Sequence, residues 1–552
     1  MKMKESFYSE KFQLKSHPNK KLIKHLFEVK EEVLNILSDN YPNSIGEEET
    51  KKIGKIISVS HDFGKSSSYF QKWLKTNERN ILNRHGLISS LFGLYLLQKN
   101  NFLNISNLKK EELNKIVFQS IKHHHINIKN PLLFLPNESG NRLGFKDIKK
   151  IVEDIKKHNK EEVNLMYNKL LETNNVDYIQ EFDDFLNNLT TFKSQVRLPQ
   201  MESSNEKIFF VFNLLYSTLL EADKISAMDI EKPSPTFNPS LNHINQYKKK
   251  FENNEFNNSR EEICQTILNR FENNKKNYYF SINAPTGSGK TLSMLSLAFK
   301  IKNYEKNKGN DYNIIYSLPF VSIIQQNYKE FENVLNSFKD EVTDDILISY
   351  HHLADDVYKT KNDENEVKEK DYRIGLFFMK NLESEITVTT FYQLFKSIFN
   401  NNKNLLQKYN KFSNSIILID EIQSIPPYLY EVVKLAFKYL CQELNSYIIL
   451  STATQPFLNP PKEYRKTEVF KPKQLLKNSD IPKEEKFYDR YYLKSDLNKK
   501  KTEKDIKKII EKDVKQENIN NIMIVLNTIR STKKLYNQVN QSKILNNYKK
   551  IF

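Results

Sequence analysis

From the start of the chain to about residue 230, apolar positions recur at three-and-four spacing, as in Leu22, Ile23, Leu26 and Val29. That is the period of a helix burying one face, and strand-like runs are few there, so the pattern predicts an all-α domain over residues 1–230. Its most apolar stretch, Ile208 to Leu220, reads as a buried helix. Residues 231–250 gather three prolines among polar side chains. Proline cannot continue a helix, so this segment is predicted to be a linker. Beyond it the period changes. Short β-rich runs, YYFSINA (278–284), YNIIYSLP (312–319), EITVTT (385–390), SIILIDE (415–421) and SYIILSTAT (446–454), alternate with helical segments. That alternation predicts an α/β domain with a parallel sheet over residues 251–475. A second polar stretch, 476–515, reads as another linker. NIMIVLNT (521–528) then opens a further strand followed by a helix, so residues 516–552 are expected to begin a second α/β domain.

Composition narrows the class. A chain of 552 residues has room for several cores at about 100–200 residues each. Its 38% hydrophobic and 12% aromatic content excludes a disordered or fibrous protein. Lys and Arg outnumber Asp and Glu by 85 to 68, a net charge of +17, which suits a polyanionic partner; a Lys-, Asn- and Ile-rich chain can also carry such an excess as genomic bias. Cys264 and Cys441 are too few and too far apart for a disulfide framework or a cysteine-based zinc site. The polar N-terminus lacks the apolar core of an export signal, and Ile208–Leu220 falls short of the roughly 20 apolar residues of a membrane span. A cytoplasmic protein with no membrane partner is expected.

The densest chemical signal lies on the helical segments: His25, the adjacent His61 and Asp62, His85, the run His123, His124 and His125, and Asp223. A single histidine is more often a hydrogen-bonded core residue than a ligand. The ensemble reads differently. Imidazole nitrogens mixed with carboxylate oxygens suit divalent transition metals such as manganese, iron, cobalt or nickel. A carboxylate such as Asp62 can bridge two ions about 3.5–4 Å apart, the arrangement used in phosphodiester hydrolysis. Asp223 follows the apolar helix, where a lone carboxylate is costly and a metal, a lysine or a helix cap would offset that cost.

His61 and Asp62 stand in ISVSHDFGKSS, which resembles the HD phosphohydrolases, whose His-Asp doublet is followed by the Gly and Lys found here at Gly64 and Lys65. The order His, His-Asp, His, His-His, Asp resembles the variant at the front of type I CRISPR helicase-nucleases. The resemblance implies one ion held by His25, His61, Asp62 and Asp223, a second completed by His85, His123 and His124, and Lys65 neutralising a phosphate. The run of three histidines leaves the register open between 123–124 and 124–125.

APTGSGKT (284–291) lies between a predicted strand and a predicted helix, the setting of a phosphate-binding P-loop. Gly287 and Gly289 let backbone amides close on phosphate oxygens, Thr286 and Ser288 complete the loop, Lys290 reaches the β and γ phosphates, and Thr291 offers a hydroxyl to magnesium. In IILIDEIQ, Asp420 would bind magnesium and Glu421 orient the attacking water, so ATP and magnesium are the expected cofactors. With the P-loop first, SLPFVSIIQQN (317–327), VTTFYQLF (388–395) and STATQP (451–456) resemble motifs Ia, Ic and III of superfamily 2 helicases, and NIMIVLNTIRSTKKLYNQV resembles motif IV. Ser322, Thr389 and Thr390 could contact a sugar-phosphate backbone or simply cap helices.

The resemblance therefore implies an all-α HD domain, a RecA-like ATP-binding domain and the start of a second RecA-like domain. It further implies metal-dependent cleavage of single-stranded DNA, ATP-driven translocation, and recruitment by a guide-RNA surveillance complex in antiviral defence. Motifs V and VI do not follow motif IV, so the expectation is a truncated helicase with impaired ATPase: either a split gene whose remainder is a separate polypeptide, or a fragment or decayed copy. Two other readings stand beside it: a general helicase whose HD domain hydrolyses nucleotides, and a non-catalytic remnant that binds DNA or ATP.

Overall fold

The spacing of Leu22, Leu26, Val29 and Val33 closes a helix, α1 (Leu22–Asp39), with those side chains wholly or almost wholly buried. The structure, a computed structural model, describes residues 11–100, 108–129, 143–188, 206–233, 239–338, 342–351, 369–452, 470–477, 480–481, 501–516, 522–526 and 528–542. The chain divides into two compact units, Met1–Lys483 and Glu484–Phe552.

In the first unit a short antiparallel hairpin, β1 (Lys15–His17) and β2 (Lys20–Lys21), precedes α1. There follow α2 (Glu47–Ser60), α3 (Ser68–Thr76), α4 (Gly86–Lys99), α5 (Lys110–His123), α6 (Phe145–His158), α7 (Lys160–Leu171), α8 (Tyr178–Asn187) and the long α9 (Glu206–Met228). One apolar core joins α1 to α8 and part of α9. At its centre Phe63 stacks on Phe92 at 3.9 Å between centroids, with Phe182 edge-on to both. The N-terminal region is helical, as its periodicity predicts.

The α/β region continues with α10 (Leu241–Lys248), α11 (Glu255–Glu272), β3 (Tyr279–Asn283), α12 (Lys290–Lys306), β4 (Asn313–Leu318), α13 (Val321–Leu335), β5 (Leu347–Tyr350), α14 (Glu369–Lys380), β6 (Ile386–Thr390), α15 (Phe391–Ile398), α16 (Lys403–Leu406), β7 (Ser415–Ile419), α17 (Tyr430–Glu443), β8 (Tyr447–Thr452) and β9 (Lys473–Leu476). The seven strands run in the order β5-β6-β4-β7-β8-β3-β9, and every neighbouring pair is parallel. One face is covered by side chains such as Phe271, Met294, Leu297 and Phe331 of α11, α12 and α13. The other is covered by Leu394, Val433 and Phe437 of α15 and α17, together with Phe210 and Leu214 of α9. Parallel strands buried on both faces are the continuous apolar runs read in the sequence.

Five of the seven strands fall where those runs predict them. The two others, β5 and β9, are edge strands of four residues each, too short to stand out by periodicity. Within 231–250, residues 241–248 are α10, anchored by buried Ile244, so that segment is helical in part. The polar stretch 476–515 holds most of α18 (Glu503–Gln516). Thr502 and Asp505 cap it reciprocally, and Ile506 and Ile510 share one face. In the second unit α19 (Ile529–Asn540) pairs with α18 through Lys534–Glu503 at 3.3 Å and the Ser542–Glu511 hydrogen bond. The strand predicted at 521–528 does not form over residues 522–526, where Met523 and Val525 are largely exposed. A strand needs a neighbour to pair its backbone, and among the described residues of that unit there is none.

Candidate metal centre and nucleotide cleft

Seven of the histidines and aspartates singled out in the sequence reach one place from five helices. His25 lies on the buried face of α1; His61 caps the C-terminus of α2 and Asp62 follows it; His85 precedes α4; His124 and His125 follow α5; Asp223 sits near the end of α9. The turn Phe63–Ser66 returns the chain so that Lys65 points back at Asp62. Gly64 is required there by close approach: a Cβ would lie 2.5 Å from Ile88 and 2.8 Å from the Cβ of His85. Its amide donates to Ser89 Oγ at 3.0 Å.

Asp62 is the centre, fully buried. Its Oδ2 faces His25 Nε2 at 3.1 Å, His61 Nε2 at 3.4 Å and Lys65 Nζ at 2.7 Å. Its Oδ1 faces His85 Nε2 at 3.2 Å and His124 Nε2 at 3.5 Å. Asp223 Oδ1 closes the first side, 3.2 Å from His25 Nε2 and 3.6 Å from His61 Nε2. Two donor groups result, each with ligand atoms within 4.8 Å of one another and sharing Asp62: His25, His61, Asp62 and Asp223; and Asp62, His85, His124 and His125.

The far sides of the rings explain the near sides. His61 Nδ1 donates to the Ser58 carbonyl at 2.6 Å and His124 Nδ1 to that of Ile121 at 2.6 Å. His25 Nδ1 meets Ser226 Oγ at 2.8 Å, and Ser226 donates onward to Glu28 at 2.8 Å. Each bond places the ring proton on Nδ1 and turns the Nε2 lone pair inward, the tautomer a metal ligand needs. Nε2 of His25, His61, His85 and His124 and both oxygens of Asp62 are buried without a well-formed hydrogen bond among the described residues. Convergent lone pairs of this kind are costly unless a cation takes them. The donor set, mixed imidazole and carboxylate, fits a pair of divalent transition metals.

Burial raises Asp62, but the Lys65 ammonium and His61 beside it hold its carboxyl well below the usual range; Asp223 is held down in the same sense by His25 and His61 against its own burial. Burial takes His85 down to about 4, so it is a neutral donor at neutral pH; His125 is the exposed member of its group. For His61 burial pulls down, but Asp62 and Asp223 outweigh it and the net direction is up.

His123, expected as a ligand, belongs to neither group. It ends α5 one residue too early, its Nδ1 bonded to the Gln119 carbonyl at 3.2 Å, and the 124–125 register is the one that converges. His17, not among the expected ligands, stands at the rim of the site with its ring 5.0 Å from that of His25. Nothing in its spacing ties it to the doublet; the β1–β2 hairpin brings it there.

At the other site, Gly287 (φ +81°) and Gly289 (φ +78°) both adopt left-handed backbone, and Lys290 opens α12. Lys290 Nζ lies 3.2 Å from Glu421 Oε1. Tyr316 donates to Asp420 Oδ2 at 2.7 Å, and the Glu421 amide donates to Asp420 Oδ1 at 3.0 Å. Gln423 donates to Glu421 and accepts from Thr452 Oγ1 at 2.7 Å, tying the start of the 451–456 segment to the acidic pair. Residues 453–456 of that segment lie outside the described residues. Thr286, Thr291, Asp420 and Glu421 line a cleft of about 670 Å³ with Arg260. Arg260, unpredicted, donates to the Gly287 carbonyl at 3.0 Å and stacks 4.1 Å over Phe256. Thr390 caps α15 and Thr389 donates to the Tyr350 carbonyl at 2.7 Å, so both hydroxyls serve the fold. Among the described residues no helix is long and apolar enough to cross a membrane.

The family described as "Type III restriction enzyme, res subunit" matches residues 253–457. The CRISPR-associated nuclease/helicase Cas3 of Haloferax volcanii is 30% identical over 181 residues, which are 32% of this chain and 19% of that protein. The crystal structure of T. fusca Cas3 is matched with a TM-score of 0.49 and 13% identity over 80% of this chain and 49% of that one. Its complex with AMPPNP is matched at 0.48 and 15% over 80% and 50%. This chain thus spans about half the length of the T. fusca protein or less.

Proposed function

We propose that this chain, a relative of the CRISPR-associated helicase-nucleases, is a metal-dependent nuclease for single-stranded DNA joined to an ATP-dependent helicase motor. The observation that carries the reading is Asp62, one buried carboxylate shared by two inward-facing donor groups. The bound ions would supply an activated water and a counter-charge for the leaving oxygen.

The residues divide that work. His25, His61, Asp62 and Asp223 hold one ion; Asp62, His85, His124 and His125 hold the other. Lys65, buried beside Asp62, places a fixed positive charge where a phosphate would enter. In the cleft, the P-loop amides and Lys290 bind the ATP phosphates, Asp420 and Thr291 hold magnesium, and Glu421 orients the attacking water. A guide-RNA surveillance complex is the proposed partner, delivering an opened DNA strand.

The test is cleavage of single-stranded DNA by the purified chain with manganese or nickel and no ATP, beside Asp62→Ala. Metal-dependent cuts lost in the variant support the reading. Release of phosphate from free nucleotides with no strand cut would replace it with a nucleotide phosphohydrolase, and a folded chain inert with every metal would overturn it.

A further inference from the structure

The metal centre is not enclosed by the helical half alone. Residues 401–411, which belong to the α/β half and lead directly into β7 and the Asp420–Glu421 pair, touch both of its sides. On one side Lys403 Nζ donates to the His125 carbonyl at 2.8 Å and its amide meets Asn127 Oδ1 at 3.2 Å, while the Ile128 amide donates to the Asn401 carbonyl at 2.9 Å. This fixes the loop that carries His124 and His125. On the other side, the α9 turn that carries Asp223 is held from both flanks. Lys224 Nζ donates to Gln407 Oε1 at 2.6 Å. Glu221, fully buried, accepts from Asn410 and lies 3.2 Å from Lys411 Nζ, and Lys232 Nζ stands 2.6 Å from the same oxygen. Lys411 in turn is 2.6 Å from Glu383, which ends the turn before β6. A buried carboxylate this well partnered fixes its helix, because releasing either partner strands a charge in a dry place.

Resting on the reading of the donor groups as a metal centre, we infer that Lys403 and Lys411 are positioning residues for that centre, so that the α/β half completes the geometry of a site whose ligands all come from the helical half. Lys403 sets the His124–His125 loop and Lys411, through Glu221, sets the Asp223 turn. Groups that orient ligands without touching the metal commonly change its affinity by about 10–100-fold.

The measurement is Mn²⁺ affinity of the full chain, from the electron paramagnetic resonance of free manganese, taking as the site's binding the part that Asp62→Ala loses. Lys403→Met and Lys411→Met are each expected to weaken it about tenfold or more. Lys403→Arg, which keeps a donor for the His125 carbonyl, restores most of it, and Lys275→Met in the turn after α11 leaves it unchanged. Lys403 is partly exposed, so its variants keep the fold, and an unaltered melting temperature separates lost positioning from lost folding. For Lys411, the pair Lys411→Met with Glu221→Gln removes that ion pair as a unit, leaves Lys232 beside Glu32 and Glu383, and is expected to fold yet bind weakly. Wild-type affinity in Lys403→Met and in that double variant overturns the inference. No manganese binding by the wild-type chain, or none lost in Asp62→Ala, overturns instead the reading on which it rests.

Discussion

Lys290 and Glu421, 131 positions apart in the chain, meet with Nζ 3.2 Å from Oε1 across the cleft between the P-loop and the end of β7. Each compensates the other's charge, and an entering γ-phosphate would compete with Glu421 for the same ammonium. Lys290→Ala is therefore expected to lower ATP affinity by about 10–100-fold, the size of one charged hydrogen bond of about 1.5–3 kcal/mol. Glu421→Gln should bind ATP within a few-fold of wild type and hydrolyse it far more slowly. Titration with a fluorescent ATP analogue checks both, and wild-type binding by Lys290→Ala would remove the lysine from the site.

Gly64→Ala brings a methyl group against Ile88 and the backbone of His85. Overpacking of this kind costs about 1–3 kcal/mol. The expected result is a lower denaturation midpoint together with weaker metal binding, since relief of the clash moves His85 from Asp62. A midpoint equal to wild type would show that the turn has room the distances deny.

Chelation is expected to lower the melting temperature and added Mn²⁺ to restore it, because binding to the folded state alone stabilises by about 2.7 kcal/mol at a hundredfold excess over the dissociation constant. Asp62→Ala should show no such response. A metal-induced shift of wild-type size in that variant would place the ions elsewhere.

The strands that enclose the nucleotide cleft were legible because buried parallel strands are apolar throughout and APTGSGKT marks the turn after the first of them. The residues of the two donor groups were legible as residue types, except that His125 and not His123 joins the second group. His123 and His124 are indistinguishable in sequence, and only the place where α5 ends, with His123 inside and His124 as its cap, decides which rings turn inward. Arg260 and His17 left no trace because their roles arise from packing between distant segments. The strand predicted at 521–528 shows the opposite failure: Ile522, Met523, Ile524 and Val525 favour extended backbone, but propensity does not make a strand without a partner to pair with.

Lys408 gives a pH test away from the metal centre. Burial, with Lys380 and Lys396 nearby, takes its pKa down from 10.5 to about 7, and its ammonium is 2.6 Å from the Tyr350 hydroxyl. Because the folded value lies below the unfolded one, the unfolded chain holds the extra proton between those limits, and stability climbs as pH rises from 7 toward 10.5. The slope from this residue is at most about 1.4 kcal/mol per pH unit. Lys408→Met is expected to be more stable than wild type at pH 7, with the gap narrowed at pH 9 and closing only near 10.5; parallel urea melts would refute this if the gap were constant.

The long helix α9 gives Asp223 to one half of the protein and Phe210 and Leu214 to the sheet of the other. Phe210 stacks on Tyr439 of α17 at 4.8 Å, so the helix is as much a covering for the sheet as it is a wall of the metal centre. The proline-bearing segment after residue 230 looks in sequence like a place to separate two modules. A cut there would leave the sheet with an uncovered oily strip and the helical piece with aromatic side chains facing water. The true seam runs lengthwise along one rod, and a chain severed at that segment would yield two sticky fragments rather than two working parts.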